Sequence, residues 1–360
     1  MKIVIAGGGT GGHLFPALAV AEVLRERGHE SVILISEKEI DALATKDRDE
    51  FRFEKLPGMG MPRFFSPAIF PFLKTFNESL SRCRTLYKKF KPDAVLGMGG
   101  FTSTAPILAA RLWKIPSFLH ESNAIPGKAN RLNAKMVDTV LLGVRECAAF
   151  FPRARCEVTG TPIRRSLATP IPREEALAIF GFQPDRKTLL VMGGSQGAHG
   201  INEAIIKALP LLKELPLQLV HLTGARDESL VTANCRRENF PAFVAAFHRR
   251  MEEAYSVADL AITRSGAASL AELAHFGIPG ILIPYPHAAE DHQTLNAEVF
   301  ERAGAAVVLK ERDATAETLA EKVRGLVADV AGLREMSERS RLLAPQNAAE
   351  RVVETILEHC

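Results

Sequence analysis

The sequence has 360 residues, of which 47% are hydrophobic and 24% are charged, and its formal net charge is +3. This length exceeds that of a typical single domain, so two domains are predicted, and the composition excludes a disordered or collagen-like chain. The small net charge argues against a general nucleic-acid-binding protein. The five cysteines show no metal-binding or CxxC spacing, which favours a reducing compartment over a disulfide-stabilised protein.

Short apolar runs alternate with longer helical segments along the chain, and this pattern predicts βαβ units with parallel sheets. Strands are predicted in the first half at Lys2–Ala6, Ser31–Ile35, Ala94–Met98, Ser117–His120, Thr139–Leu142 and Glu157–Thr159. Strands are predicted in the second half at Thr188–Met192, Leu219–Thr223, Phe243–Phe247, Leu260–Thr263, Gly280–Ile283 and Ala306–Leu309. Because these runs are almost continuously apolar, helices are expected on both faces of each sheet.

The two halves of the chain begin alike, with a strand, a glycine-rich loop and a helix. The first loop is Gly7–His13 and the second is Gly193–Ala198. The sequence therefore predicts an α/β fold of two Rossmann-like domains. We expect the first domain to span residues 1–163, with a helix at about 343–360 packing back on it, and the second to span residues 164–342.

The first glycine-rich loop fits the GxGxxG pattern through Gly7, Gly9 and Gly12. Such a loop lets a phosphate or a sugar approach the backbone at a positive helix end. With Glu37 after the next strand, an NAD- or FAD-dependent oxidoreductase stays open as an alternative at this point. His13 favours another chemistry, because the helix end disfavours its cationic form and keeps the imidazole available as a base. The alternative is a capping or buried structural histidine.

Three strand ends in the second half suit a nucleotide-sugar ligand. Gly193–Ala198 offers backbone N–H groups and the Ser195 hydroxyl. Ser265 is expected to cap the following helix, on which Glu272 is placed to accept hydrogen bonds from a ribose diol. Gln293 follows a further strand. Open α/β sheets bind ligands at the carboxyl ends of their strands, so these loops predict a diphosphate site held by amides and helix ends. Neither a metal nor a cofactor is expected.

The segment Met59–Leu73 is apolar apart from one charge, and its prolines argue against a regular core helix. Between Arg52 and Lys91 the chain has nine Lys or Arg residues and two Glu residues. Apolar insertion combined with attraction to anionic lipids is typical of peripheral membrane proteins. We therefore expect residues 59–89 to contact the anionic cytoplasmic face of the inner cell membrane. The alternative is a partly buried loop followed by a solvated basic helix.

Six motifs resemble, in the same order, those of the MurG family of cytoplasmic N-acetylglucosaminyltransferases. They are GGGTGGHLFPALAVAE, GMGGFTSTAP, HESNAIPGKANR, VTGTPIR, GGSQGA and RSGAASLAELAHFGIPGILIPYPHAAEDHQTLNA, and they run from Lys2 to about Ala306. The resemblance implies a GT-B fold with two Rossmann-like domains facing a cleft. It also implies an inverting, metal-independent transfer of N-acetylglucosamine from UDP-N-acetylglucosamine to undecaprenyl-pyrophosphoryl muramoylpentapeptide.

In such a transfer the 4-hydroxyl of the muramoyl sugar loses its proton as it attacks, which requires a base. His13 and Glu121 lie on the acceptor-side loops, and we predict His13 as the base with Glu121 in support. By motif position, the resemblance implies substrate contacts for Thr10, Gly11, Gly12, Asn123, Arg164, Ser195, Ala267, Ala268, Ser269, Leu270, Ala271, Glu272 and Gln293. Asn123 would contact the N-acetylglucosamine, Arg164 and Ser195 the nucleotide diphosphate, and the first domain would bind the acceptor.

Three positions depart from the family's pattern. His248 stands where an apolar residue is expected on the uracil, Phe101 where tyrosine is frequent, and Pro106 in a stretch that is usually glycine-rich. Two alternatives remain open. One is another GT-B enzyme or an epimerase that uses a UDP-sugar, and the other is an NAD-binding oxidoreductase, which leaves the second glycine-rich loop and Gln293 without a role.

Overall fold

The computed structural model describes residues 1–37, 48–57, 67, 69–167, 169–194, 197–345 and 347–360. The chain divides into two compact units. Unit 1 comprises Met1–Arg165 and Asn347–Cys360, and unit 2 comprises Ser166–Gln346. Each unit contains a parallel β-sheet covered by helices.

Unit 1 is built on a sheet whose strands pair in parallel in the order β3-β2-β1-β4-β5-β6-β7. These strands are β1 (Lys2–Ala6), β2 (Glu30–Ser36), β3 (Arg52–Leu56), β4 (Ala94–Gly97), β5 (Ser117–Glu121), β6 (Thr139–Leu142) and β7 (Arg155–Val158). The helices are α1 (Gly11–Glu26), α2 (Ile69–Phe90), α3 (Thr104–Trp113), α4 (Lys128–Asn133) and, from the second segment of the unit, α13 (Ala348–Glu358).

Unit 2 repeats this plan with strands in the order β10-β9-β8-β11-β12-β13. They are β8 (Lys187–Met192), β9 (Leu217–Leu222), β10 (Ala242–Ala245), β11 (Leu260–Thr263), β12 (Gly280–Leu282) and β13 (Ala306–Val308). The helices are α5 (Arg173–Phe180), α6 (His199–Leu212), α7 (Glu228–Arg237), α8 (Met251–Val257), α9 (Ala267–Phe276), α10 (His292–Arg302), α11 (Ala316–Ala328) and α12 (Val330–Leu343). Nowhere in the described ranges is a helix both long and apolar enough to cross a bilayer.

The sheet of unit 1 is packed on both faces because its side chains alternate. Ile3 and Ile5 of β1 belong to a core that contains α1 and α13. Val4 and Ala6 belong to a second core, which contains residues of α2 and α3. These four residues of β1 are fully buried. The sequence-based expectation of an apolar strand between two helical layers is thus confirmed, and α13 forms part of the layer that also holds α1.

An aspartate before β4 and another before β11 fix the position of a neighbouring strand. Asp93 accepts a 2.7 Å hydrogen bond from the backbone N–H of Lys2 at the start of β1. Asp259 accepts a 2.8 Å bond from the N–H of Thr188 in β8. Hydrogen bonds to a carboxylate are short and strong. They hold adjacent strands in register, so the loops at the opposite ends emerge at one edge.

Two parts of unit 1 differ from the sequence-based prediction. β3 (Arg52–Leu56) is absent from the predicted strands because it is a charged edge strand that pairs only with β2. α2 begins at Ile69, although prolines argued against a helix in this segment. Pro71 is tolerated in the first turn, where no intrahelical N–H bond is lost. Residues 59–66 and 68 of the predicted membrane segment lie outside the described part of the chain.

Each sheet carries a fully buried histidine on a strand. The Nε2 atom of His120 on β5 is 2.9 Å from the Gly160 carbonyl oxygen. The Nε2 atom of His221 on β9 is 2.8 Å from the Asn202 Oδ1 atom. Burial lowers the pKa of His120 to about 4 and the pKa of His221 to about 3. Both imidazoles are therefore neutral in the folded protein at neutral pH.

We predict that the folded protein loses stability as the pH falls below about 6.5, the ordinary pKa of histidine. The unfolded chain binds protons at these histidines while the folded chain does not. The free energy of unfolding therefore falls by up to about 1.4 kcal/mol per pH unit for each histidine, until its folded-state pKa is reached. Urea denaturation of the wild type and of His221→Phe, from about pH 7.5 to about pH 4.5, measures the effect. The wild type should weaken more steeply, and equal slopes would contradict the prediction.

Candidate active site

The predicted site residues of each unit lie on loops that follow parallel strands. In unit 1 these loops follow β1, β5 and β7, and in unit 2 they follow β8, β10, β11 and β12. Loops of this kind emerge at the carboxyl edge of a sheet, which is where open α/β sheets bind ligands. Each unit therefore presents its own candidate binding edge.

The first glycine-rich loop joins β1 to α1 through a tight turn. A side chain at Gly7 would overlap Ala17 of α1, so glycine permits the close packing of strand and helix. Gly9 has a φ of 98°, which other residues rarely adopt. Around Gly12 the nearest atom to a Cβ position is Thr10 Oγ1 at 3.8 Å. Gly7 and Gly9 shape the turn, whereas Gly12 leaves the start of α1 open to a ligand.

His13 lies half-buried in the first turn of α1, against a turn of two glycines. Its Nδ1 atom is 3.2 Å from Thr10 Oγ1. A Cβ at Gly99 would lie 3.1 Å from its Nε2 atom, and a Cβ at Gly100 would lie 3.0 Å from its Cε1 atom. Both glycines have positive φ, at 106° and 71°. Their lack of side chains allows the imidazole to rest directly on the backbone.

Ser103 fixes the glycine turn beneath His13. Its buried Oγ atom accepts a hydrogen bond from the Gly99 N–H at 3.2 Å. The same atom lies 2.8 Å from the Gly99 carbonyl oxygen and 3.0 Å from the Ala6 carbonyl oxygen. Because Ala6 ends β1, this side chain joins the loops after β1 and β4. Ser103 was not among the predicted site residues, although it lies within the GMGGFTSTAP motif.

Glu121 ends β5 and is only 3% exposed. Its Oε1 atom accepts hydrogen bonds from the backbone N–H and the side-chain amide of Asn123, both at 2.9 Å. Its Oε2 atom accepts from Asn130 at 2.7 Å and from the Gly127 N–H at 3.2 Å. Burial raises the pKa of Glu121, and these bonds oppose the rise. With both oxygens engaged, the carboxylate organises the loop after β5.

Asn130 brings the Glu121 loop close to His13. A Cβ at Gly99 would lie 3.1 Å from the Asn130 Nδ2 atom and equally far from His13 Nε2. The Asn130 amide and the imidazole thus both border the space that a side chain at Gly99 would fill. Asn130 is 4% exposed and was not among the predicted site residues. The structure therefore places the two predicted catalytic residues in one connected environment.

The other predicted residues of unit 1 border the start of α1 or the Glu121 loop. Thr10 is exposed just before α1, and a Cβ at Gly11 would lie 3.2 Å from the Phe15 ring. The guanidinium of Arg164 packs over the same Phe15 ring, 4.9 Å from its centroid. Asn123 supports Glu121 as described. Arg164 and Thr10 thus lie near the helix end that carries His13.

The second glycine-rich loop, in unit 2, packs closely against the end of β9. A side chain at Gly197 would overlap the Thr223 carbonyl group, and Gly197 has a φ of 72°. Gly194 also has positive φ, at 83°. The predicted contact residue Ser195 lies outside the described part of the chain. Gly194 and Gly197, on either side of this position in the sequence, supply backbone conformations that other residues rarely adopt.

The start of α9 differs from the prediction. Gly266, and not Ser265, occupies the capping position before α9. The buried Ser265 hydroxyl donates instead to the Gln293 carbonyl at 2.7 Å, and the Asn296 side chain donates to the Ser265 carbonyl at 3.1 Å. The predicted cap is wrong because carbonyl and amide groups of α10 lie within reach of Ser265. These bonds hold the starts of α9 and α10 together.

The first turn of α9 presents backbone amides at the edge of unit 2. Ala267, Ala268 and Ser269 are half-buried, and their N–H groups precede the first intrahelical bond, which runs from Leu270 to Gly266. The side chains of Leu270 and Ala271 belong to the packed part of the helix, Leu270 being 3% exposed. The positive end of the helix is therefore available to an anion.

Two predicted polar side chains flank this helix end. The Gln293 Oε1 atom accepts a 2.9 Å hydrogen bond from the Tyr285 N–H, which places its amide beside the loop after β12. Glu272 lies on the second turn of α9, and its Oε2 atom accepts a 2.6 Å bond from the Tyr255 hydroxyl. Tyr255 was not predicted, because no sequence pattern indicates that α8 faces α9.

His248 follows β10 and packs between two aromatic rings. Its ring centroid is 5.6 Å from that of Phe180 and 5.7 Å from that of Phe243. Its Nε2 atom lies 2.9 Å from a carboxylate oxygen of Glu253, which is 3% exposed and also pairs with Arg250 at 2.7 Å. These neighbours explain how an imidazole occupies a position where the resemblance implies an apolar side chain.

Arg264 is a further site residue that the sequence analysis missed. It is 9% exposed and forms two hydrogen bonds with Glu311, at 2.9 and 3.1 Å. It also donates to the carbonyl oxygens of Ile283 and Pro284, at 3.2 and 3.3 Å. A buried guanidinium needs such partners. Arg264 thus joins the ends of β11, β12 and β13. The sequence feature that could have identified it is an arginine directly after an apolar strand.

Glu37, the acidic residue that left an NAD-dependent oxidoreductase open, pairs with a basic side chain. Glu37, which would hold a ribose in an NAD-dependent enzyme, lies 3.6 Å from the Arg82 guanidinium on α2. Within the described ranges, no group of three or more His, Cys, Asp or Glu side chains is arranged to bind a metal ion.

Two protein-family models match the chain. The glycosyltransferase family 28 N-terminal domain matches residues 3–142, and the family 28 C-terminal domain matches residues 188–352. Relatives named "UDP-N-acetylglucosamine--N-acetylmuramyl-(pentapeptide) pyrophosphoryl-undecaprenol N-acetylglucosamine transferase" include a Geobacter sulfurreducens protein that is 40% identical. A Halothermothrix orenii protein of the same name is 39% identical, and both matches cover 99% of this chain and 98% of the relative.

Solved structures show the same architecture. The crystal structure of Acinetobacter baumannii MurG is 29% identical, with a TM-score of 0.79 over 99% of each chain. A UDP-GlcNAc 2-epimerase from Neisseria meningitidis is 17% identical, with a TM-score of 0.70, and shows a common fold alone. The two parallel α/β units thus have the GT-B fold of MurG. With full-length identity of 40% to a curated member, the chain belongs to the MurG family of N-acetylglucosamine transferases, in glycosyltransferase family 28.

Proposed function

We propose that this protein transfers N-acetylglucosamine from UDP-N-acetylglucosamine to the 4-hydroxyl of the muramoyl sugar of undecaprenyl-pyrophosphoryl-muramoylpentapeptide. This reaction converts lipid I to lipid II in peptidoglycan synthesis. The observation that carries the proposal is 40% identity along the whole chain to a relative whose name states this transfer. The site geometry supports it, because each unit presents ligand-competent loops at the carboxyl edge of its sheet.

The donor binds to unit 2 in this proposal. The amides of Ala267, Ala268 and Ser269 at the start of α9 stabilise the diphosphate, where the helix end provides a positive field. Gln293 donates from the first turn of α10, and Glu272 accepts hydrogen bonds from the ribose hydroxyls. Since backbone amides and a helix end neutralise the charge of the leaving UDP, we propose a transfer that needs no metal ion.

The acceptor binds to unit 1, with His13 as the general base. The acceptor oxygen attacks the anomeric carbon from the side opposite UDP, its proton passes to an imidazole nitrogen, and UDP leaves with the bonding electron pair. The configuration is thereby inverted. His13 suits this role because it lies in the first turn of α1 next to Gly12, whose backbone leaves room for a sugar. Glu121 supports the site by holding its loop, since both of its oxygens accept hydrogen bonds from protein groups.

Unit 1 also docks on the anionic inner membrane surface in this proposal. The start of α2 exposes Phe70 at 75% and Leu73 at 48% of their surface. Exposed basic residues follow on the same helix, including Lys74, Arg84 and Lys88. Apolar side chains beside cations provide the two signals that reversible membrane attachment requires. Docking brings the lipid-linked acceptor to the unit that carries His13.

We predict that Glu272→Ala weakens UDP-N-acetylglucosamine binding by on the order of 1.5–3 kcal/mol, because it removes a charged acceptor for the ribose hydroxyls. Calorimetry with the purified protein measures this loss. Glu321→Ala, which removes an exposed carboxylate of α11 in the same unit, is the matched control. Unchanged donor affinity in Glu272→Ala would refute the ribose contact.

We predict that His13→Ala lowers kcat by about 10²–10⁴-fold while UDP-N-acetylglucosamine affinity stays the same, because a general base is lost. A transfer assay with a short-chain lipid acceptor, together with donor calorimetry, separates the two effects. His29→Ala, which removes another histidine of unit 1, should keep full turnover. Normal turnover of His13→Ala, together with an inactive Glu121→Ala that still binds the donor, would contradict the prediction. Glu121 would then be the base and His13 the supporting residue.

We predict that the protein floats with anionic vesicles at low salt and is released at high salt. Changing Phe70 and Leu73 together to serine should abolish flotation, because the apolar contact is removed while the charge is kept. The control is Leu342→Ser, since Leu342 is 85% exposed in unit 2. Flotation that survives the double change would exclude this surface.

A further inference from the structure

Tyr255 links α9 to the end of β8, two elements of the proposed donor site. It lies on α8 and is 2% exposed. Its hydroxyl donates a 2.6 Å hydrogen bond to Glu272 Oε2 on α9 and lies 3.8 Å from the sulfur of Met192. Met192 ends β8, directly before the second glycine-rich loop. One buried hydroxyl thus contacts the end of β8 and the carboxylate on α9.

The ring of Tyr255 also packs against α9. Its centroid lies 5.1 Å from that of Phe276, which is 7% exposed in the last turn of α9. The ring and the hydroxyl therefore contact the same helix at two points, about one turn apart. A buried, packed tyrosine has little rotational freedom, so it is a rigid support for a flexible side chain.

A glutamate side chain loses much rotamer freedom when it must hold one orientation for a ligand. Glu272 is half-buried, and a short charge-assisted bond fixes its Oε2 atom. A carboxylate has about four acceptor sites, so it can accept hydrogen bonds from ligand hydroxyls and from protein groups at the same time. When the Glu272 side chain is already anchored before the ligand binds, less side-chain entropy is lost on binding.

We propose that Tyr255 is a positioning residue for ribose recognition. It pre-orients the Glu272 carboxylate, and so contributes to the preference for a nucleotide with intact ribose hydroxyls. This inference rests on the proposed donor-binding role of Glu272. A purely structural role for Tyr255 would instead change the stability of the fold and weaken all nucleotide ligands alike.

The test compares UDP with 2′,3′-dideoxy-UDP, which lacks both ribose hydroxyls, as probes in calorimetry. In the wild type, UDP should bind more tightly than its dideoxy analogue. Tyr255→Phe keeps the ring and should weaken UDP by about five- to twentyfold, with the analogue within about twofold of its wild-type affinity. In the transfer assay, KM for UDP-N-acetylglucosamine should rise by a similar factor with little change in kcat.

Two further variants complete the comparison. Glu272→Gln should weaken UDP and remove most of the preference over the analogue, and adding Tyr255→Phe to it should have little further effect. Tyr87→Phe is the matched control, because Tyr87 is also buried and donates a 3.0 Å bond, to the Pro106 carbonyl in unit 1. Its nucleotide affinities should equal those of the wild type.

The outcomes separate the two proposals. If Glu272→Gln binds both nucleotides as the wild type does, the ribose contact fails and the inference fails with it. If Glu272→Gln weakens UDP but Tyr255→Phe does not, the positioning role alone is overturned. Equal weakening of both nucleotides by Tyr255→Phe would likewise overturn it and indicate a structural role.

A second measurement covers the case in which Tyr255→Phe does not fold. The chain contains three tyrosines, so labelling with 3-fluorotyrosine should give three ¹⁹F signals. Tyr87→Phe and Tyr285→Phe assign two of them, and the third belongs to Tyr255. UDP should shift this third signal more than the dideoxy analogue does. Equal shifts with both nucleotides would overturn the inference.

Discussion

A sheet whose strands all run parallel delivers every strand-to-helix loop to the same edge, and the candidate sites of both units follow from this constraint. Carboxylates hold the strand starts in register, as Asp93 and Asp259 do for β1 and β8. The loops then emerge side by side. Residues far apart in sequence, such as His13 and Asn130, border the space beside a single glycine, Gly99, for this reason.

The two predicted catalytic residues have different surroundings, and this difference supports the roles that we propose for them. Glu121 is enclosed by amide donors that stabilise its ionised form, so it serves the loop that surrounds it. His13 instead rests on bare glycine backbone at a helix start, with a threonine hydroxyl at one ring nitrogen. A carboxylate whose two oxygens already accept four hydrogen bonds is better suited to support.

Much of the fold and part of the site were predictable from the sequence, because apolar periodicity and glycine spacing are local signals. The charged edge strand β3 escaped prediction, since its stability comes from pairing with β2 and not from apolar burial. The predicted Ser265 cap was wrong because its hydroxyl finds a carbonyl 28 residues away. Tyr255 and Arg264 were missed for the same reason. The residues that they contact, such as Glu272 and Glu311, are distant in sequence and come close only in the folded chain. No local sequence pattern encodes such contacts.

The helix α13 gives the protein an order of assembly. Ala349, Val352, Val353 and Ile356 complete the core that contains α1, and Arg351 donates to the Val158 carbonyl at 2.9 Å. A ribosome delivers these residues only after all of unit 2. The sheet that carries His13 therefore has one incompletely covered apolar face while unit 2 is synthesised and can fold. A nascent chain arrested before α13 would expose this face to chaperones and proteases, so translation itself sets when unit 1 is completed.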